Sequence, residues 1–165
     1  MKKVKEEATP SSYLEAKLLD QIDFSDTFST TNHKNTLEET TNFIFNNTPK
    51  WIDQLFVIRN KIVKLFGLKT GIPADYNEEF RVGGYIAFFK IFSIANNEII
   101  LGANDSHLNF RAVVANSNET DFNIKVVTLV EYNNTKGKIY MNLIKPFHRI
   151  IVKRMVKNAF NKNEQ

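Results

Sequence analysis

NEIILGANDSHLNFR, residues 97–111, reads as two short strands folded back on each other at Asp105-Ser106, and this hairpin decides the fold. With a two-residue turn there, Asn104 opposes His107, Gly102 opposes Asn109 and Ile100 opposes Arg111 on one face. The other face carries Ile99, Leu101, Ala103, Leu108, Phe110 and Ala112, and this apolar side is expected to face the core. His107 and Arg111 are then expected to point outward, toward solvent or an interface. The same stretch gathers four ionisable side chains, Glu98, Asp105, His107 and Arg111.

Working outward, apolar runs of strand length fall at about 85–94, 98–104, 107–116 and 122–132. The turns between them, at Asn96-Asn97, Asp105-Ser106 and 117–121, are short enough to require antiparallel neighbours. Upstream, Ser12 followed by Glu15 fits a capping box that opens a short helix to about Asp20, and a first strand follows over about Phe24–Thr31. Thr36 with Glu39 is a second capping box, for a helix to about Asn46. Thr48 as N-cap and Pro49 at the first helical position begin another helix, which is expected to reach Phe66 and stop at Gly67.

Downstream, KIYMNLIKPFHRIIVKRM (residues 138–155) lies in a final helix expected over about 138–160. At about 100° per residue, Tyr140, Leu143, Ile144, Phe147, Ile150, Ile151 and Met155 share one arc, expected to rest on the sheet. Asn142, Lys145, Arg149 and Lys153 lie opposite and are read as the solvated side of a core helix rather than a membrane-binding stripe. Pro146 is expected to kink the helix, because it removes a backbone donor and crowds the preceding turn.

At 165 residues, 42% of them hydrophobic, the chain is expected to form one domain over residues 12–162 behind a flexible basic tail, residues 1–11. A net charge of +4 spread among acids, without a recognisable module, argues against a nucleic-acid partner. The absence of cysteine excludes disulfides and thiolate chemistry, and His33, His107 and His148 are too scattered for a common metal motif, so neither metal nor cofactor is expected. No apolar run is long enough to span a bilayer and no secretory signal is evident. A cytoplasmic monomer or homodimer without membrane insertion is the expectation.

Arg59 falls near the middle of an apolar arc formed by Ile52, Leu55, Ile58, Ile62, Val63 and Phe66. A buried guanidinium left unpaired costs several kcal/mol, so it needs Glu98, Asp105 or an anionic ligand, unless it snorkels to the surface. Lys90 shares the inner face with Ile86, Phe88, Phe92 and Ile94 unless a bulge returns it to solvent. If it stays inside, Lys90 and Arg59 together suit a carboxylate or phosphate. Thr128 and Tyr132 alternate inward with Val126 and Val130, offering hydroxyls to a cavity unless they are satisfied within the core. His148, at the shoulder of the last helix's apolar arc, is expected to hydrogen-bond from helix to sheet, while Phe147 is a core residue first and a ligand platform second.

The order strand, two helices, antiparallel meander, long C-terminal helix resembles the helix-grip fold of the Bet v 1 and START-like superfamily. Trp51–Leu68, Glu98–Arg111 and Tyr140–Met155, with the strand around Asp26 and Phe28, resemble the family catalogued as domain of unknown function 2867. The resemblance implies an α+β fold in which a curved antiparallel sheet wraps a long kinked helix, with an apolar cavity between them. It brings no catalytic residue. The function expected on this basis is binding of a small hydrophobic or amphipathic ligand, with Arg59 near its polar end. Two alternatives stand beside it: a cyclase- or isomerase-type enzyme using Glu98, Asp105 or His107 as base, and a protein-interaction domain whose core is filled by its own side chains.

Overall fold

The computed structural model describes residues 2–47, 64 and 72–161. Its elements are β1 (Lys5–Glu7), α1 (Ser11–Glu15), β2 (Phe24–Thr30), α2 (Leu37–Phe45), β3 (Tyr85–Ile86), β4 (Phe89–Ile94), β5 (Glu98–Asn104), β6 (Leu108–Asn116), β7 (Ile124–Tyr132) and α3 (Thr135–Asn158). Among the described residues, seven strands form one curved antiparallel sheet in the order β1-β2-β7-β6-β5-β4-β3. The result is an α+β, helix-grip-like architecture, as the sequence implies. The helix expected over Thr48–Phe66 lies outside the described residues.

Alternation decides which side of each strand is buried. Ile99, Leu101, Ala112 and Val114 join Phe28, Val126, Met155 and Val156 in the main core beneath α2 and α3. The hairpin register is Gly102↔Arg111 and Asn104↔Asn109, and the Asp105 N–H donates to the Leu108 carbonyl at 3.0 Å, which places Ser106-His107 at the tip. Pairing is therefore offset by two residues from the expected one. An even offset leaves every side chain on its expected face, because the strand period is two.

Strand ends depart from expectation where the backbone turns left-handed. Ala87 (φ 53) breaks the expected 85–94 strand into the β3–β4 hairpin and leaves Phe88 at its exposed tip, rather than on the inner face. Phe122 (φ 56) delays β7 to Ile124. At the other end of the chain, Lys5–Glu7 pairs with β2, Lys5 opposite Ser29, so part of the stretch expected as a frayed tail is an edge strand. The outer edge of β2 would otherwise hold unpaired backbone groups.

The Thr36–Glu39 capping box forms as expected: the Glu39 N–H donates to the Thr36 hydroxyl at 3.2 Å and the Thr36 N–H donates to Glu39 at 2.9 Å. Such a cap contributes about 1 kcal/mol. The Ser12–Glu15 box does not form; α1 follows Pro10 without a side-chain cap and ends before Lys17, whose φ is 51°.

That short helix and the loop after it cover the second face of the sheet. Tyr13, Leu18, Leu19 and Ile22 pack on Ile100, Val113, Val127 and Leu129. There the Tyr13 hydroxyl donates to Glu98 at 3.3 Å. Burial first, and then the Glu98 charge, push the phenol from its ordinary value of 10.0 up to about 12. A raised phenol pKa means the folded state holds its proton longer than the unfolded chain, so this contact's contribution is present below pH 10.0 and lost as pH climbs toward about 12. Stability measured across that window should fall more steeply for the native protein than for Tyr13→Phe; identical slopes would refute the assignment.

Helix α3 is tied down at both ends. Asn134 caps it, its Oδ1 accepting from the Gly137 N–H at 3.1 Å, while its Nδ2 donates to the Ser106 carbonyl at 2.9 Å. Asn133 Nδ2 donates to the Asp105 carbonyl at 2.7 Å. At the far end, buried Asn32 donates to the Ala159 carbonyl at 2.8 Å, and the Asn161 N–H donates to the Thr31 carbonyl at 2.9 Å. Between these moorings the helix continues through Pro146, whose missing N–H leaves the Asn142 carbonyl without its helical donor.

One expectation about this helix is corrected. Tyr140, Met141, Met155 and Val156 are buried against the sheet, but Leu143, Phe147 and Ile150 are 49%, 46% and 57% exposed. The apolar arc of α3 is wider than the strip that the sheet covers, so periodicity alone could not say which part is buried.

Candidate functional site

Alternation in FSDTF puts Phe24, Asp26 and Phe28 on the inner face of β2. Across the sheet Asp26 pairs with Thr128, and Thr128 pairs with Ala112. Above this row comes His148 of α3, its Nε2 3.1 Å from Asp26 Oδ2. On one side of the row lies the cluster of Leu108, Val130, Tyr140 and Met141 with Phe24, Phe110, Tyr132 and Ile144; on the other lies the main core around Phe28 and Val126. Asp26, Thr128 and His148 thus make a polar layer between two apolar clusters.

The electrostatics of this layer are demanding. Asp26 is 9% exposed, and neither of its carboxylate oxygens has a hydrogen-bond partner among the described residues beyond the close approach of His148. A carboxylate removed from water needs a donor, and the His148 imidazole, within ion-pair distance but not aligned as a hydrogen bond, leaves that need unmet among the described residues. The Phe24 ring meets the imidazole edge-on, with centroids 5.8 Å apart. Ala112, the smallest side chain of the row, is itself buried in the main core. Nearby, the Tyr132 hydroxyl is buried with no hydrogen-bond partner among the described residues, and burial followed by the charge of Asp23 raises its pKa. The layer can accept a hydrogen bond from a hydroxyl or amine and offers an imidazole beside it.

Of the residues singled out from sequence, His148 and Thr128 meet in this layer and Tyr132 borders it. Arg59 lies outside the described residues. Lys90 is not in the interior: a bulge between Ile91 and Ser93 sets it opposite Gly102 on the outer face, where it pairs with Asp75 at 2.5 Å. Glu98 is also on the outer face, under Tyr13. Phe147 is exposed rather than lining the interface.

Asp105 caps the hairpin tip, accepting from the Ser106 N–H at 2.6 Å. His107, expected outside, is 4% exposed, with Nδ1 3.4 Å from Asp105 and its ring edge-on to Tyr140. Its position at the turn, not on a strand, lets it tuck under the start of α3. Arg111 does face outward, donating to Asn104 Oδ1 at 2.8 Å with its guanidinium 3.8 Å from the Phe92 ring centre. Burial lowers its pKa. Glu98, Asp105, His107 and Arg111, neighbours in sequence, therefore do not converge on one cavity.

Asp26 was not among the residues picked out for chemistry. Its signal was local: an acid between two inward-facing phenylalanines. Among the described residues, no group of three or more His, Asp or Glu side chains is placed to hold a metal ion, and no helix is long and apolar enough to cross a membrane. No curated protein and no solved structure matches the chain. Residues 18–155, which include both strands of the central hairpin and nearly all of the Asp26–His148 layer's supports, match the family described as "Protein of unknown function (DUF2867)", and the chain belongs to that family.

Proposed function

We propose that the chain binds a small amphipathic molecule between the inner face of the sheet and α3, with a hydroxyl or amine held at Asp26, Thr128 and His148. The observation that carries this reading is the buried Asp26 carboxylate, whose contact among the described residues is a single imidazole. Binding sites of this type combine apolar walls with a few placed polar groups. The two flanking apolar clusters supply the walls, and the polar layer supplies orientation.

Native mass spectrometry of the full chain from its expression host tests this directly. A retained small molecule is expected, reduced at least about ten-fold in Asp26→Asn, which turns one acceptor oxygen into a donor. Circular dichroism must show the variant folded for the loss to count. If the native protein is empty and Asp26→Asn merely lowers the unfolding temperature, the pair is a clasp within a filled core. In that case the ligand reading fails.

A further inference from the structure

Ile139, Leu143, Phe147 and Ile150 are 50%, 49%, 46% and 57% exposed, four large apolar side chains along one helix. At about 100° per residue they fall within an arc of about 80°. The line runs along the exposed part of the apolar arc of α3, next to the strip of Tyr140, Met141, Met155 and Val156 that is buried against the sheet. Exposed apolar residues scattered singly need no explanation, but a continuous line of them does.

The charge of α3 says what suits that line. Thr135–Asn158 contains Lys136, Lys138, Lys145, Arg149, Lys153, Arg154 and Lys157, and not one Asp or Glu. Arg149 is engaged by Glu6 at 2.6 Å, whereas Lys136, Lys153 and Lys157 are exposed beside or along the apolar line. A second copy of the same helix laid against it would bring lysine against lysine. An apolar line bordered by cations, on a helix without an acidic residue, instead fits a surface that is oily beneath and negative on top.

We infer that α3 docks the protein onto an anionic phospholipid bilayer surface, with Ile139, Leu143, Phe147 and Ile150 entering the interface and the lysines meeting headgroup phosphates and carboxylates. The helix lies in the plane of the surface and does not cross it. Its buried strip stays on the sheet, so docking needs no unfolding. This inference stands on residues other than Asp26, Thr128 and His148, and it holds or fails whether or not a molecule occupies the interior.

Sedimentation of the full chain with phosphatidylcholine vesicles, with and without about 30% phosphatidylserine, tests it. Binding is expected to the anionic vesicles, to weaken with added salt, and to be absent with phosphatidylcholine alone. Leu143→Asn/Ile150→Asn and Lys136→Gln/Lys153→Gln should each lower the bound fraction about ten-fold, through the apolar and the ionic part respectively. Both pairs are at the surface, and unchanged unfolding midpoints will show that the variants fold. No sedimentation with either vesicle overturns the proposal. So does a concentration-dependent dimer that Leu143→Asn/Ile150→Asn dissociates, or binding of an acidic amphipathic peptide where vesicles fail.

Discussion

Phe28→Ala should lower stability by about 3–5 kcal/mol, the range for emptying a buried phenylalanine site. Phe28 is 1% exposed, lies opposite Val126 across β2 and β7, and packs in the cluster that also holds Ile44 and Met155. It therefore joins sheet, α2 and α3, and its neighbours are held by hydrogen-bonded backbone that cannot easily collapse into the space. A domain of this size is stable by only about 5–15 kcal/mol, so a large share of the total is at stake. The same substitution at Phe88, 71% exposed on the β3–β4 turn, should change stability by no more than about 0.5 kcal/mol. Urea midpoints for the two variants measure the contrast. If they shift alike, the assignment of the core to the inner face of β2 is wrong.

Gly137→Ala is the second large effect, and its sign runs against propensity. In the first turn of an exposed helix, alanine would normally gain up to about 1 kcal/mol over glycine. Here a Cβ at position 137 would stand 1.9 Å from the His107 carbonyl oxygen and 2.8 Å from its carbon. Those are backbone atoms, and the same carbonyl accepts the Asn133 N–H at 3.0 Å, so they are not free to retreat. A loss of about 3 kcal/mol is expected, toward the upper end of the range for overpacking. The damage should concentrate where the hairpin tip meets α3. Amide exchange at Gly137 and Lys138 should quicken before exchange in the β2–β7 ladder does. A neutral or stabilising Gly137→Ala would show that the tip can step aside.

The hairpin faces were legible because period two is robust: a register offset of two residues left Leu101, Phe110 and Ala112 pointing inward all the same. The Thr36 cap was legible because it needs only its own four residues. Legibility failed where partners come from elsewhere in the chain. The buried strip of α3 depends on how much of its apolar arc the sheet covers, and nothing within the helix records that. His107 looked solvent-facing by strand parity, yet it sits on the turn, where parity no longer applies, and Tyr140 covers it. Glu98 already had outward parity on β5, but its partner Tyr13 comes from α1, whereas the bulge allowed for at Lys90 is present and returns that residue to the outer face. His148 was read as a helix-to-sheet contact from its place on the arc. Its partner Asp26 lies more than a hundred residues earlier, at a separation no local pattern encodes.

The sheet's two margins among the described residues are stubs: β1 has 3 residues and β3 has 2, whereas β2, β5, β6 and β7 have 7 to 9. A foreign strand approaching either margin meets only a few backbone positions to template on, and at β1 these carry Lys5, Glu6 and Glu7. The long Val- and Ile-rich segments most able to stack into cross-β fibrils, β6 and β7, are kept in the middle with a partner strand on each side. Resistance to fibril growth is thus written into strand length as much as into side chains, and the few residues of β1 guard a far longer ladder behind them.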